Sequence, residues 1–479
     1  MSGPDPVGYE VLVIGAGPAG VMAALRAADL GARTALVTDG AFGGMAANDG
    51  PVPVRTLAHT ARLLRDARQL NRYGVKAVDL WLDYPGLLER VREVISEVAG
   101  ASSLRAQVEA AGAEIHENLG AARFEGPNVL ATAAGRHFAA GRIVLCTGGV
   151  SRRLPIPGFE LTATHSDAWS LTSVPDSMIV VGAGATGTQV ASVFNAFGTR
   201  VQLFQAMDRI LPTEEPEVSA AVAEAFRASG IEVHEGFGAI ERFERTSTGV
   251  RMVYGRDGVT RSAVAALVVT AVGWSANTGA LNLDAAGVET DERGFIRVDA
   301  HQRTSAAHVY AAGDVTGGLM LAGHALQEGF VAATNAVRGT SVSATDAVSP
   351  IGSFTDPEYA QVGLGEAEAR KRHDVEVVTV PFAAMTRAII DGRTRGFCKL
   401  IVDRASHRIL GCHIVGERAV DTVQIAAVAL ASGMRVDDLA RIPLSFPTYS
   451  GILGRAVSAA AHRLIRKGDR GSLQAANLS

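Results

Sequence analysis

Glu10 to Gly20 reads EVLVIGAGPAG, and Met178 to Gly187 reads MIVVGAGATG. Each is a short apolar run that ends in Gly-x-Gly-x-x-Gly. After the first, an Ala-rich amphipathic stretch runs to about Gly31, and a second apolar run spans Arg33 to Val37. The order is strand, tight turn, helix, strand. In such a unit the first glycine (Gly15, Gly182) permits the turn. The second (Gly17, Gly184) lets the backbone approach a pyrophosphate, and the third (Gly20, Gly187) lets the helix pack on the strand. The pyrophosphate rests on the helix N-terminus, where free N–H groups and the dipole favour an anion. Two such units in one chain imply two dinucleotide sites and an α/β fold with two Rossmann-like domains.

Composition sets the outer bounds. The chain has 479 residues, too many for one ordinary core. Hydrophobic residues make up 47% and charged residues 20%, as in globular proteins. The formal charge of −4 points to no nucleic-acid partner. No signal-peptide pattern and no apolar run of bilayer length is visible, so the expected location is the cytoplasm, without membrane insertion. The three cysteines, Cys146, Cys398 and Cys412, lie in apolar, strand-like runs and form no metal-ligand spacing, so no metal is expected. They read as small buried hydrophobes. Cys398 and Cys412 become neighbours if their strands pair as a hairpin.

Between the fingerprints and beyond them, several segments match one family. Gly43 to Arg55 reads GGMAANDGPVPVR. It resembles the GGTCxNxGCxPSK loop of the flavoprotein disulfide reductases, the class of dihydrolipoamide dehydrogenase, glutathione reductase and mercuric reductase. RIVLCTGG (Arg142 to Gly149), VVTAVGWSAN (Val268 to Asn277) and VYAAGDVTG (Val309 to Gly317) resemble the segments that return the chain to the flavin domain. Ile351 to Leu464 resembles the family's dimerisation domain, including its DPE at Asp356 to Glu358. Helical periodicity runs from Thr56 to about Ala111, with His59 read as a packing histidine.

The resemblance implies a discontinuous FAD-binding domain over 1–150 and 276–346, with an NAD(P)-binding domain over 151–275. An α+β C-terminal dimerisation domain over 347–466 and a flexible tail over 467–479 complete the chain, which is expected to form a homodimer. FAD is assigned to Gly15, Gly17, Gly20, Gly43, Gly44, Thr147, Gly148, Gly313 and Asp314, with the last facing the ribityl chain. At the end of the second strand Thr38 stands where the family has an acid for the ribose; either Thr38 or the following Asp39 takes that contact. NAD(P)H is assigned to Gly182, Gly184, Gly187, Gln205 and Gly273. Gln205 is neutral where an acid would select NADH and an Arg cluster NADPH, which leaves a slight lean to NADH. His324, at the mouth of a helix aimed at the flavin, either donates to the flavin or caps the turn.

The departures from the family decide the expected chemistry. Ala46 and Pro51 replace the two redox cysteines. In the C-terminal SFPTYSG, Phe446 and Gly451 replace the His and Glu that serve the thiols as acid and base. Disulfide reduction needs two thiols, a base and an acid, and all four positions change together. The family's Lys–Glu pair beside the flavin corresponds to Arg55 and Gln189. Arg keeps the cation, and its fork can donate to Gln189 or the flavin, but the counter-carboxylate is gone. With small apolar groups under the flavin, and Phe446 and Tyr449 of the partner subunit closing the face, the slot suits a flat acceptor. The expectation is an FAD-dependent NAD(P)H oxidoreductase that passes electrons to a small, diffusible, quinone-like acceptor without a disulfide relay. The alternatives are turnover of one carbon substrate with Tyr449 or His324 as proton donor, pyridine-nucleotide transhydrogenation, and a non-catalytic flavin-bound sensor.

Overall fold

A computed structural model describes residues 7–76, 80–101, 104–344 and 348–476. The first body is a parallel-centred sheet. It comprises β1 (Val7–Ile14), α1 (Pro18–Asp29), β2 (Thr34–Val37), α2 (Gly44–Asn48), α3 (Pro51–Ala67), α4 (Tyr84–Ala101), α5 (Leu104–Ala110), β3 (Glu114–His116), β4 (Ala122–Gly126), β5 (Val129–Thr132) and β6 (His137–Leu145). The strand order is β3-β2-β1-β6-β5-β4. β1 lies at the centre, parallel to β2 and β6, and its last four residues are all buried. That burial on both faces explains why it reads as an unbroken apolar run rather than an alternating one.

A second body follows with β7 (Gly149–Ser151), α6 (His165–Trp169), β8 (Ser177–Val181), α7 (Ala185–Ala196), β9 (Arg200–Gln205), α8 (Pro216–Ala228) and β10 (Glu232–Glu235). It continues through the meander β11 (Ala239–Thr246), β12 (Gly249–Arg256) and β13 (Val259–Ala265), then β14 (Leu267–Thr270) and β15 (Trp274–Ala276). Its parallel sheet has the order β10-β9-β8-β14. The antiparallel pair β15-β7 bridges the outgoing and returning chain. β16 (Val309–Ala311) then rejoins the first sheet beside β6, and α9 (Ala322–Arg338) packs across α1.

The C-terminal body is an antiparallel sheet of order β17-β18-β21-β20-β19. It is built from β17 (Ile351–Ser353), β18 (Tyr359–Gly363), α10 (Glu366–Arg372), β19 (Val375–Pro381), α11 (Thr386–Ile390), β20 (Phe397–Asp403) and β21 (Ile409–Val415). Then come α12 (Ala419–Ala431), α13 (Val436–Leu439) and α14 (Gly451–Ala476). The hairpin β20-β21 brings the Cys398 and Cys412 sulfurs to 3.9 Å as free, buried thiols. Lys399, 4% exposed, ties this body to the second one: its ammonium meets Glu215 (2.6 Å) and Glu217 (2.9 Å) at the start of α8, and Glu366 (2.7 Å). Removing that cation would strand buried carboxylate charge, which is why such clusters hold only when complete.

One expectation fails here. His59 is exposed, because the buried face of α3 is Pro53, Val54, Leu57 and Ala61, and position 59 lies about 200° from Leu57 around the helix. α14 runs as helix through Ala476, past Lys467 where the tail was expected to begin, with no proline to interrupt its hydrogen bonds; residues 477–479 lie outside the described set.

Candidate functional site

The first fingerprint folds as the glycine spacing requires. A side chain at Gly20 would place its Cβ 1.7 Å from the Gly15 carbonyl oxygen, so only glycine lets α1 sit this close to β1. Gly17 faces open space at the N-cap of α1, with Pro18 at the first helical position. The GGMAANDGPVPVR segment packs on this turn. Gly43 donates its N–H to the Ala16 carbonyl (2.9 Å), and a Cβ on Gly44, which has φ +55°, would lie 2.8 Å from Gly17 Cα. Asn48 braces the segment by donating to the Phe42 and Gly44 carbonyls. Ala46 lies on α2 and Pro51 opens α3. The scaffold around Ala46 and Pro51 is therefore complete.

Around the same turn, Thr147 has a buried hydroxyl with no partner among the described residues, while Asn277 holds its carbonyl at 3.1 Å and the Gly148 carbonyl at 3.0 Å. Gly313 starts the short turn carrying Asp314, whose carboxyl is raised by burial. An orphaned hydroxyl, a desolvated carboxyl and an open helix N-terminus are what a polar dinucleotide would satisfy. The ribose position is different. Thr38 is buried and its backbone extends the β2-β3 pairing, donating to His116 O at 2.9 Å. Asp39 is exposed and accepts from its neighbour Gly40 at 2.9 Å.

The second fingerprint opens a cavity of about 670 Å³, lined in part by Gly182, Gly184, Gln205 and Gly273. Gly187 repeats the packing role of Gly20: its Cβ would fall 1.8 Å from Gly182 O. Arg209, the nearest basic residue after β9, donates to the Pro212 and Glu214 carbonyls at 2.8 and 3.0 Å. Ser151, His165 and Trp274 also line this cavity. Sequence reading singled out neither Ser151 nor His165, since no local motif marks them; topology alone brings α6 against the β7-β15 pair.

The residues expected around the flavin ring are not brought together as expected. Gln189 turns its amide back onto the Ala185 carbonyl (3.1 Å) instead of meeting Arg55. The Arg55 guanidinium stacks 3.4 Å above the Phe354 ring, since a planar cation gains from an aromatic face. Burial lowers its pKa, and the Glu358 carboxylate is the foremost charge opposing that shift. The partner that Arg55 contacts is thus the aromatic ring of Phe354, in the C-terminal body. Burial raises the Glu358 carboxyl to about 7.

His324 contacts two neighbouring side chains. Its Nε2 lies 3.1 Å from Glu328 Oε1 and its Nδ1 3.2 Å from Ser349 Oγ. Glu328 Oε2 accepts the Gly313 N–H at 2.7 Å. His324 therefore braces the carboxylate that holds the Gly313 turn. The i,i+4 spacing of His324 and Glu328 on one helix face was a legible signal. Tyr449 donates to Asp391 Oδ2 (2.7 Å) and packs on Phe382 within its own body. Burial and then Asp391 raise its pKa. Phe446 is 80% exposed.

Residues 9–329 match the model of the pyridine nucleotide-disulphide oxidoreductases, and residues 349–457 match that family's dimerisation domain. The chain belongs to this family. It is an FAD-dependent NAD(P)H oxidoreductase built from two Rossmann-like domains and a C-terminal dimerisation domain. Dihydrolipoyl dehydrogenase of Thermus scotoductus is 33% identical, covering 94% of this chain and 97% of that protein. Dihydrolipoyl dehydrogenase 2 of Haloarcula marismortui is 34% identical over 95% and 97%. The HOCl-induced flavoprotein disulfide reductase RclA from Escherichia coli superposes with a TM-score of 0.83 at 25% identity, covering 94% and 99% of the two chains. Those relatives are named for dihydrolipoyl or disulfide chemistry; this member carries Ala46 and Pro51 in the corresponding loop. Among the described residues no helix is long and apolar enough to cross a membrane.

Proposed function

We propose that this family member oxidises NAD(P)H and hands the electrons to a diffusible, quinone-like acceptor, with no sulfur relay and no disulfide reduction. One observation carries the reading: the loop that packs on the first fingerprint keeps its frame and has Ala46 and Pro51 where thiols would be. No other thiol replaces them. Cys146 is buried behind Gly15 and Gly20, and burial pushes its pKa far up, while Cys398 and Cys412 sit in the C-terminal sheet. A thiol held neutral is neither nucleophile nor electron relay.

In this reading Gly15, Gly17, Gly20, Gly43, Gly44, Thr147, Gly148, Gly313 and Asp314 hold FAD, which when bound takes up and passes on a hydride equivalent. The α1 N-terminus receives the pyrophosphate. The Thr147 hydroxyl and the Asp314 carboxylate satisfy hydroxyls. Arg55, fixed by Phe354, keeps a positive charge on the flavin side. Gln205 binds ribose hydroxyls of the nicotinamide nucleotide; Arg209, the first basic residue after β9, is tied to backbone carbonyls, and NADH is preferred. Tyr449 and His324, the donors that carbon-substrate chemistry would use, are engaged with Asp391 and with Glu328 and Ser349. Phe446, unpacked in its own chain, closes the acceptor slot of a partner subunit. The test is anaerobic: NADH bleaches the flavin of the purified protein, and a naphthoquinone restores its colour faster than lipoamide does. Lipoamide turnover matching that of the quinone overturns the reading.

A further inference from the structure

A hydrogen-bonded chain of side chains runs from the second cavity to the flavin loop. Ser151 and His165 line the cavity of the second fingerprint. Ser151 Oγ lies 3.2 Å from His165 Nδ1, and His165 Nε2 lies 3.4 Å from Ser166 Oγ. Ser166 donates to Asp49 Oδ2 at 2.5 Å. Asp49 stands between Ala46 and Pro51, in the loop that packs on the first fingerprint. The imidazole is 5% exposed and is held edge-on against Trp274, with ring centroids 5.0 Å apart.

The proton order follows from counting. Ser166 has one hydroxyl proton, and the short bond to Asp49 uses it. Its oxygen can then only accept from His165 Nε2–H, so Nδ1 is the acceptor for the Ser151 hydroxyl. Every donor points the same way, from cavity to loop. A proton entering at Ser151 releases one at Asp49. We propose that Ser151, His165, Ser166 and Asp49 form a proton path that serves reduction of the acceptor at the flavin loop. This rests on the quinone reading above. The balance is NAD(P)H + H⁺ + quinone giving NAD(P)⁺ + hydroquinone. The C4–H bond of the dihydronicotinamide breaks, two electrons move with its hydride, and two O–H bonds form on the quinone. The proton not carried as hydride comes from water through this path. It takes over the acid role that the family gives to the residues replaced here by Phe446 and Gly451. Asp49 and Asp167 are the charges facing the imidazole; they oppose the burial that lowers its pKa, so it rests neutral and able to relay.

The holoprotein and its His165→Gln, Ser166→Ala and Asp49→Asn variants test this in two ways. In stopped flow, NADH bleaching and reoxidation by naphthoquinone are measured separately in H₂O and D₂O. Each variant is expected to slow reoxidation on the order of 10-fold or more and to lose its solvent isotope effect, with the His165/Asp49 double variant no slower than the slower single one. Asp49→Asn reoxidising at the wild-type rate with the wild-type isotope effect overturns the path. Independently of turnover, ¹⁵N-histidine NMR assigned with His165→Gln is expected to show the Nε2–H tautomer near pH 7; an Nδ1–H tautomer breaks the donor order and overturns it. A wild-type flavin that NADH does not bleach, or that quinone does not reoxidise, sinks the acceptor reading instead, and the tautomer still decides the path.

Discussion

The two fingerprints make a controlled comparison inside one chain. Their glycines do the same work to within a tenth of an ångström: the forbidden Cβ contact is 1.7 Å at Gly20 and 1.8 Å at Gly187. What lies beyond the turn differs. At the first site the loop through Gly43 and Gly44 folds back onto Gly17, and the strand-end Thr38 is absorbed into backbone pairing. At the second site the turn faces a cavity of about 670 Å³, and the strand-end Gln205 lines it. The motif fixes where a pyrophosphate rests. The strand end and the next loop fix which nucleotide it belongs to and how tightly it is enclosed.

The largest effects should come from spoiling one site at a time. Gly187→Ala is expected to leave a bound, spectrally normal flavin that NADH no longer bleaches, whereas Gly20→Ala should yield protein without flavin; absorbance at the flavin band separates them. If both lose flavin, the two sites are not independent. Next in size is a pH effect confined to the second body. Glu214 is 7% exposed, and burial raises its carboxyl to about 7. Its folded pKa lies above the unfolded one, so its contribution is full below about pH 4.5 and is lost as pH rises through about 7. Glu214→Gln should therefore match wild type in stability near pH 4 and exceed it by ~3 kcal/mol near pH 8, read from denaturation at both values.

Smaller still is coenzyme choice. Gln205→Glu should raise the NADH/NADPH ratio of kcat/KM about tenfold, ~1.4 kcal/mol, through repulsion of the 2′-phosphate. Thr38→Glu, its counterpart at the first site, should leave that ratio unmoved; a shift there would erase the contrast between the sites. The smallest effect concerns Arg55. Arg55→Met should lower the flavin midpoint potential by on the order of 15 mV, ~0.7 kcal/mol, since Glu358 already offsets part of the charge. An anaerobic redox titration that finds no change would remove Arg55 from the account of the flavin.

Much of the frame was readable before any coordinates, and particular residues show why. Gly15, Gly20, Gly182 and Gly187 are legible because a steric rule acts within six residues. The absence of cysteine from this loop is legible because Ala46 and Pro51 are identities, not geometries. The exposed position of His59 was misread because a helix face depends on which neighbours cover it. Gln189 and Arg55 were paired by analogy, but an arginine fork finds an aromatic face where a lysine would seek a carboxylate, and Phe354 supplies that face from another body.

By itself, then, the sequence determined the two Rossmann units, the missing thiols and the neutral strand-end residues. Those depend on short-range sterics and on which atoms a side chain carries. Only the tertiary structure decided that His324 serves Glu328, that Phe354 stacks on Arg55, and that Asp49 meets Ser166, 117 residues along the chain. Such contacts are set by how separate layers close on one another, and no local spacing in the chain encodes where two distant side chains will meet.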